Sequence, residues 1–283
     1  MSENIINKKR FGYIDFPGTG AGFFSNFFSA VSNILTCHQN GLIPYINSSK
    51  TAFAEGFTVA DGAPLDSDNP WDWWFNQETP TDNDIIIPIN FDPTINFSHE
   101  HRVWQRPDIP YVKTIVDEYI NIKKEILEKV DEYKVKNFDN HIVLGIMARG
   151  AEMNAIHPQY GNQTIETWVQ GTKEILNKHT EIDVIFLVTE DSNYIPIFLN
   201  EFPDTLYLKD VFRKTNETLE DMIRFSLFYC IANIRENHSK ILGEECLTQA
   251  LLLSKCDYLL VKQCGTSSAA IFYGDKIKDV FYV

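Results

Sequence analysis

Three groups of polar residues come after apolar runs of the sequence, and their side chains suit the binding of an anion. Arg149 follows the run IVLGIMA, and Thr189-Glu190-Asp191 close the run that begins VIFLV. Thr266, Ser267 and Ser268 come shortly after the run YLLV and open a predicted helix. A guanidinium is a permanent cation whose N–H fork fits phosphate oxygens, and a helix start offers backbone N–H groups to an anion. Together the three groups predict a phosphate-binding site.

A structural interpretation of the same residues stays open at this point. Arg149 could form an ion pair with Glu190 or Asp191, and the serines could only cap their helix. Position in the sequence does not decide between a ligand site and these internal contacts.

The elements that must position these groups alternate between strand and helix in the second half of the chain. This pattern predicts a parallel sheet with helices on both faces, and in such sheets ligands bind outside the carboxyl ends of the strands. The three groups are therefore expected at one edge. The predicted strands are 141–148, 183–189, 205–208, 257–262 and 279–282.

The first half also begins as a β-loop-α-β unit. A strand at 11–16 leads through the glycine-rich turn PGTGAG into a helix over 23–38 and a strand at 42–46. A long amphipathic helix is predicted over 111–133. The fold class is therefore α/β, with two Rossmann-like domains facing a cleft. The predicted domains are 1–135, with long loops, and 139–283.

Composition narrows the functions that these domains can have. The net charge of −14 argues against nucleic acid, whose phosphates need a basic surface. The sequence has no run of 18 or more apolar residues, so no transmembrane segment is predicted. The five cysteines lack CxxC spacing and fit reduced thiols, so a cytoplasmic location is expected. A homo-oligomer is compatible with the sequence.

Three motifs in order resemble those of a known family. They are GIMARGAE at 145–152, Thr189-Glu190-Asp191, and the run LLSKCDYLLV at 252–261 followed by Ser267-Ser268. From residue 141 onward the chain resembles inverting fucosyltransferases of the two-Rossmann-domain type, namely the α1,6-fucosyltransferases and, more loosely, the O-fucosyltransferase superfamily. The N-terminal GTGAGFFSNF is similar to the glycine-rich first loop of such enzymes.

The resemblance implies a GT-B-like glycosyltransferase that is inverting and independent of metal and cofactor. Arg149 would bind the β-phosphate of a nucleotide-sugar donor, with a GDP-sugar favoured, and Gly150 would allow close approach of the backbone. Glu152 and His157 are the candidate bases. The N-terminal domain would bind a glycan or glycolipid acceptor. Further substrate-binding candidates are Gly20, Gly22, Asn26, Thr189, Glu190, Asp191, Thr266, Ser267 and Ser268.

The chain departs from the family pattern at three positions. Met147 replaces a histidine and Gln249 an aspartate, two residues that contact guanine in the resembled enzymes, and Gly150 replaces a second arginine. Glu244 or Glu245 could supply the carboxylate that a guanine edge needs, whereas the amide of Gln249 would suit a pyrimidine. Both alternatives are open from the sequence.

Other signals compete with this interpretation. A non-catalytic nucleotide-sugar or glycan-binding module would explain the departures from the family pattern. The turn PGTGAG also resembles the first loop of a methyltransferase. Such enzymes need an acidic residue at the end of the second strand, and this chain has none there. Two D-x-D segments, Asp66-Ser67-Asp68 and Asp82-Asn83-Asp84, and the segment His99-Glu100-His101 could hold a metal. They are interpreted as surface features, so no metal is predicted. Trp71, Trp73 and Trp74 are interpreted first as core residues and second as a sugar platform.

Overall fold

The computed structural model describes residues 8–16, 22–53, 68–89, 108–150, 163–213 and 235–283. The chain divides into two compact units, Met1–Lys123 and Lys124–Val283. No helix in these ranges is both long and apolar enough to cross a membrane.

The first unit contains a three-stranded parallel sheet, with strand order β2-β1-β4. Helix α1 follows β1, and Gly12 allows it to lie close, because a Cβ at this glycine would stand 2.4 Å from Cys37 Sγ. A short antiparallel pair joins β3 and β5. The elements in chain order are β1 (Arg10–Asp15), α1 (Phe23–Gln39), β2 (Ile43–Asn47), α2 (Trp71–Trp74), β3 (Phe75–Asn76), β4 (Ile85–Ile89), α3 (Ile109–Tyr119) and β5 (Asn121–Ile122).

Aromatic side chains fill the core of the first unit. Trp71 and Trp74 are each only 3% exposed. Trp71 stacks on Phe75 with ring centroids 4.4 Å apart, and Trp74 meets Phe23 edge to face at 4.9 Å. These two tryptophans therefore serve as core residues, as the first interpretation of the sequence held.

The second unit contains a four-stranded sheet in the order β7-β6-β8-β9, and every strand pair is parallel. All six residues of β6 are buried. Gly145 lets the neighbouring segment approach β6, since a Cβ there would lie 2.8 Å from Cys256 Sγ. The elements are α4 (Lys124–Asn137), β6 (Val143–Ala148), α5 (Ile165–Lys178), β7 (Val184–Thr189), α6 (Tyr194–Glu201), α7 (His238–Leu253), β8 (Tyr258–Val261), α8 (Gly265–Tyr273) and β9 (Asp279–Tyr282).

The long helix predicted over 111–133 was wrong, because the structure has two helices, α3 and α4, with β5 between them. The apolar period continues through the break, but Asn121 and Ile122 pair with β3, and the N–H of Lys123 donates to the carbonyl of Trp74. Tertiary hydrogen bonds thus override a helical pattern here. The strand predicted at 205–208 is reduced to one bridge between Leu206 and Phe186.

Candidate functional site

The carboxyl edge of the second sheet brings together the predicted strand-end groups. The parallel ladder pairs Ala148 with Thr189 and Met147 with Val261. The residues that leave β6, β7 and β8 therefore emerge side by side, as the alternation of strands and helices predicted.

Arg149 forms an ion pair at this edge. Its Nε lies 3.2 Å from Oε1 of Glu190, and the two side chains are 23% and 16% exposed. The same carboxylate oxygen accepts the N–H of Gly150 at 3.0 Å. The internal pairing that the sequence left open is thus present. It engages Nε of a guanidinium that carries further N–H donors on its terminal nitrogens.

Thr189 and Asp191 shape the turn that follows β7. The Thr189 hydroxyl accepts the N–H of Asp191 at 3.1 Å, and Asp191 Oδ1 accepts the N–H of Asn193 at 2.9 Å. A Cβ at Gly150 would stand 2.9 Å from Asp191 Cβ. In the structure it is therefore Asp191 that comes close to Gly150.

Lys262 also lies at this edge, and the sequence reasoning missed it. It follows β8 directly and is only 5% exposed. Burial lowers the pKa of its ammonium, and the charge of Arg149 lowers this pKa further. The signal was available, because a lysine directly after the apolar run YLLV occupies the same kind of strand-end position as Arg149.

Helix α8 starts at Gly265, and the serines near its start have internal roles. The Ser267 hydroxyl donates to the carbonyl of Lys262 at 2.7 Å and accepts the N–H of Cys264 at 3.0 Å. Ser268 is 1% exposed, and its buried hydroxyl has no hydrogen-bond partner among the described residues. Gly265 and Thr266 are partly exposed, and the first N–H groups of a helix lack intrahelical acceptors. The backbone, more than the serine hydroxyls, is therefore the part of this helix start that suits an anion.

Glu245 is engaged by an arginine that the sequence reasoning did not consider. The guanidinium of Arg235 donates to both carboxylate oxygens, at 2.8 and 2.7 Å, and the N–H of Phe212 lies 3.3 Å from Oε2. Gln249 donates its side-chain amide to the carbonyl of Glu245 at 3.1 Å. Glu244 pairs with Lys129. In this structure the predicted base-reading carboxylates are thus held by internal cations.

In the first unit, Gly22 precedes α1, and its carbonyl accepts the N–H of Asn26 at 3.1 Å. Asn26 is 8% exposed and lines a small pocket with Ser48, Thr51 and several aromatic rings. Gly20, Glu152 and His157 lie outside the described residues.

The acidic and histidine segments that could hold a metal lie partly inside and partly outside the described residues. Asp84 of the second D-x-D segment accepts the backbone N–H and the hydroxyl of Thr81, both at 2.8 Å, and so shapes a turn. Asp66, His99 and His101 lie outside the described ranges. Within those ranges no three His, Cys, Asp or Glu side chains group as metal ligands.

Comparison with known proteins gives a likeness of fold. No protein-family model matches the sequence, and no curated protein sequence matches it. Among solved structures, the NodZ α-1,6-fucosyltransferase soaked with GDP-fucose gives a TM-score of 0.56 at 14% identity, over 94% of this chain and 93% of that chain. NodZ from Bradyrhizobium in another crystal gives 0.57 at 13%, over 93% of each chain. POFUT1 in complex with GDP-fucose gives 0.53 at 9%, over 98% of each.

The chain thus has the fold of GT-B fucosyltransferases, and the α/β class predicted from the sequence is confirmed. The likeness extends over nearly the whole chain, whereas the sequence motifs lie mainly in the second half. At these identities the likeness is one of fold alone.

Proposed function

We propose that the protein is a glycosyltransferase that binds a nucleotide-sugar donor at the carboxyl edge of its second sheet. The observation that carries the proposal is the position of Arg149, at the end of the buried strand β6, in a fold shared with fucosyltransferases. Lys262 and the partly exposed start of α8 stand at the same edge. A diphosphate is the ligand chemistry that these groups suit.

Transfer would proceed with inversion and without a metal or cofactor. As the glycosidic bond breaks, negative charge develops on the diphosphate leaving group, and a cation fixed beside it stabilises that charge. A base then has to take the proton of the acceptor hydroxyl, and Glu152 and His157 stay the candidates. A glycan or glycolipid acceptor is proposed for the first unit.

A GDP-sugar is the favoured donor. A NodZ crystal was soaked with GDP-fucose and POFUT1 was solved in complex with it, and this supports fucose as the first sugar to test. Met147 and Gln249 replace the family residues that contact guanine, so the base contact in this chain must be made differently.

A ligand screen followed by a transfer assay tests the proposal. Ligands that bind the native state raise the midpoint of thermal unfolding, so GDP, UDP, CDP and their sugars are compared by thermal shift. The donor that stabilises most is then incubated with glycan acceptors. Transfer or donor hydrolysis supports the enzyme. Nucleotide binding without turnover of any donor identifies the non-catalytic module, and no binding by any nucleotide contradicts both.

A further inference from the structure

A small pocket of the first unit lies at the carboxyl edge of its sheet. Phe23, the first residue of α1, and Ser48, which directly follows β2, both line it. Ligands of parallel sheets bind outside the carboxyl ends of the strands. The interior has room for about one water molecule, and the empty space, counted out to the opening, is about 260 Å³. The pocket can therefore take one small group of a larger ligand.

The walls of the pocket are aromatic and uncharged. Three of the lining rings, those of Phe23, Phe53 and Trp74, meet edge to face with centroids 4.9 to 5.7 Å apart. The other described residues of the lining are uncharged as well. A buried charge without a partner is costly, whereas aromatic walls suit the C–H groups of an uncharged ligand. The pocket therefore favours a neutral group that carries aliphatic carbon.

Trp71 brings a hydrogen-bond donor to the same pocket. It lines the pocket and is only 3% exposed, and its indole Nε1–H meets no acceptor among the described residues. Two neighbouring hydroxyls are engaged, because Ser48 donates to Oδ1 of Asn69 at 3.0 Å and Thr51 donates to the carbonyl of Ser48 at 2.9 Å. A buried donor without an acceptor is unfavourable, so an oxygen that accepts this N–H stabilises a bound ligand.

We propose that this pocket binds the hydroxymethyl group of a neutral sugar and so anchors the glycan acceptor. The CH₂ of that group lies against the aromatic walls, and its oxygen accepts the N–H of Trp71. A hydroxymethyl group projects from a pyranose ring by one carbon, so it can enter a narrow pocket that the ring cannot. The inference rests on the proposed function for the identity of the ligand as an acceptor, but the binding itself is measured without transfer.

Nuclear magnetic resonance of the indole N–H groups tests the inference. The chain has five tryptophans, whose indoles give separate signals in a ¹⁵N–¹H correlation spectrum. The probes are the methyl glycosides of glucose, galactose and mannose, and the matched glycosides of xylose, arabinose and lyxose, which have the same rings without the hydroxymethyl group. We expect the Trp71 signal to move downfield with at least one hexoside, because its proton gains an acceptor. The matched pentoside should bind about 3- to 10-fold more weakly.

Two variants assign the signal and provide the control. Trp71→Phe removes the N–H and keeps an aromatic ring, so it should lose the preference for the hexoside. Trp168→Phe should keep it. Trp168 is also buried, its Nε1 also has no acceptor among the described residues, and it lies in the core of the second unit. If Trp71→Phe does not fold, Phe53→Leu takes its place, since the loss of one aromatic wall must weaken the binding of the hexoside.

The outcomes separate this inference from the proposed function. The inference is overturned if no indole signal responds to any hexoside, if hexoside and pentoside bind equally, or if Trp71→Phe keeps the preference. Binding that depends on Trp71, without transfer from any nucleotide-sugar donor, supports the inference while the proposed function fails. Transfer to a glycan, with a Trp71 signal that no hexoside moves, supports the proposed function and rejects the anchor.

Discussion

Arg149 forms the internal ion pair that the sequence had left open as an alternative to a ligand contact. Its ion pair with Glu190 fixes the guanidinium at the end of β6, and a fixed cation is what stabilisation of a developing charge requires. The carboxylate of Glu190 in turn gains a counter-charge from Arg149, while its Oε1 accepts a hydrogen bond from the N–H of Gly150. A substitution of Arg149 will therefore affect stability as well as chemistry.

We predict that Arg149→Ala lowers the transfer rate by about 100-fold or more. We also expect a loss of about 1–3 kcal/mol in the free energy of unfolding, because Glu190 is left under-compensated. The double variant Arg149→Met/Glu190→Gln should recover stability without recovering transfer. Steady-state kinetics and denaturant unfolding measure the two effects, and near-normal transfer by Arg149→Ala would contradict the assignment.

The close approach of Asp191 requires a glycine at position 150. A Cβ at this position would stand 2.9 Å from Asp191 Cβ and 3.1 Å from its Oδ2, and Asp191 is held in its turn by hydrogen bonds. We predict that Gly150→Ala destabilises the protein by about 1–3 kcal/mol. Gly22→Ala is the control, since a Cβ there meets nothing within 4 Å. Equal unfolding midpoints for the two variants would show that the turn adjusts freely.

At the scale of the element, helix α8 depends on one hydroxyl. Ser267 joins the segment that leaves β8 to the first turn of the helix, whereas the hydroxyl of Ser268 has no partner among the described residues. We predict that Ser267→Ala costs about 1 kcal/mol of stability and that Ser268→Ala is nearly neutral. Chemical denaturation compares them, and the opposite ranking would mean that Ser268 is the capping residue.

Helix α7 carries two adjacent glutamates in different surroundings. Glu245 is 11% exposed and bidentate with Arg235, while Glu244, at 27% exposure, pairs with a lysine that is 58% exposed. We predict that Glu245→Gln lowers stability by about 1–3 kcal/mol and that Glu244→Gln lowers it by less than about 1 kcal/mol. If GDP affinity falls in Glu245→Gln while the unfolding midpoint does not change, the carboxylate reads guanine after all.

At the scale of the whole molecule, the net charge of −14 means that an anionic donor must be held by local cations against the global field. Arg149 and the start of α8 are the local groups proposed here. We therefore predict that transfer survives an excess of EDTA, assayed beside a matched sample without chelator. Complete loss of activity and rescue by Mn²⁺ would restore a role for the acidic D-x-D segments.

In the second half of the chain, the sequence by itself determined most of the order of strands and helices and the groups that stand at strand ends. These features are local, because apolar periodicity and chain order act over a few residues. The meeting of Arg149, Glu190 and the start of α8 at one edge follows from parallel strands and needed no coordinates. The likeness to fucosyltransferases was also visible in three short motifs, and the fold confirmed it.

Only the tertiary structure decided which partner each polar side chain takes. Glu190 accepts the N–H of Gly150, which is 40 residues away in the sequence. Glu245 accepts hydrogen bonds from Arg235 and from the backbone N–H of Phe212, which is 33 residues away. No local pattern encodes such pairings, because they depend on how separate elements pack. The same reason applies to the break between α3 and α4 and to the burial of Lys262, where contacts between distant segments outweigh local preference.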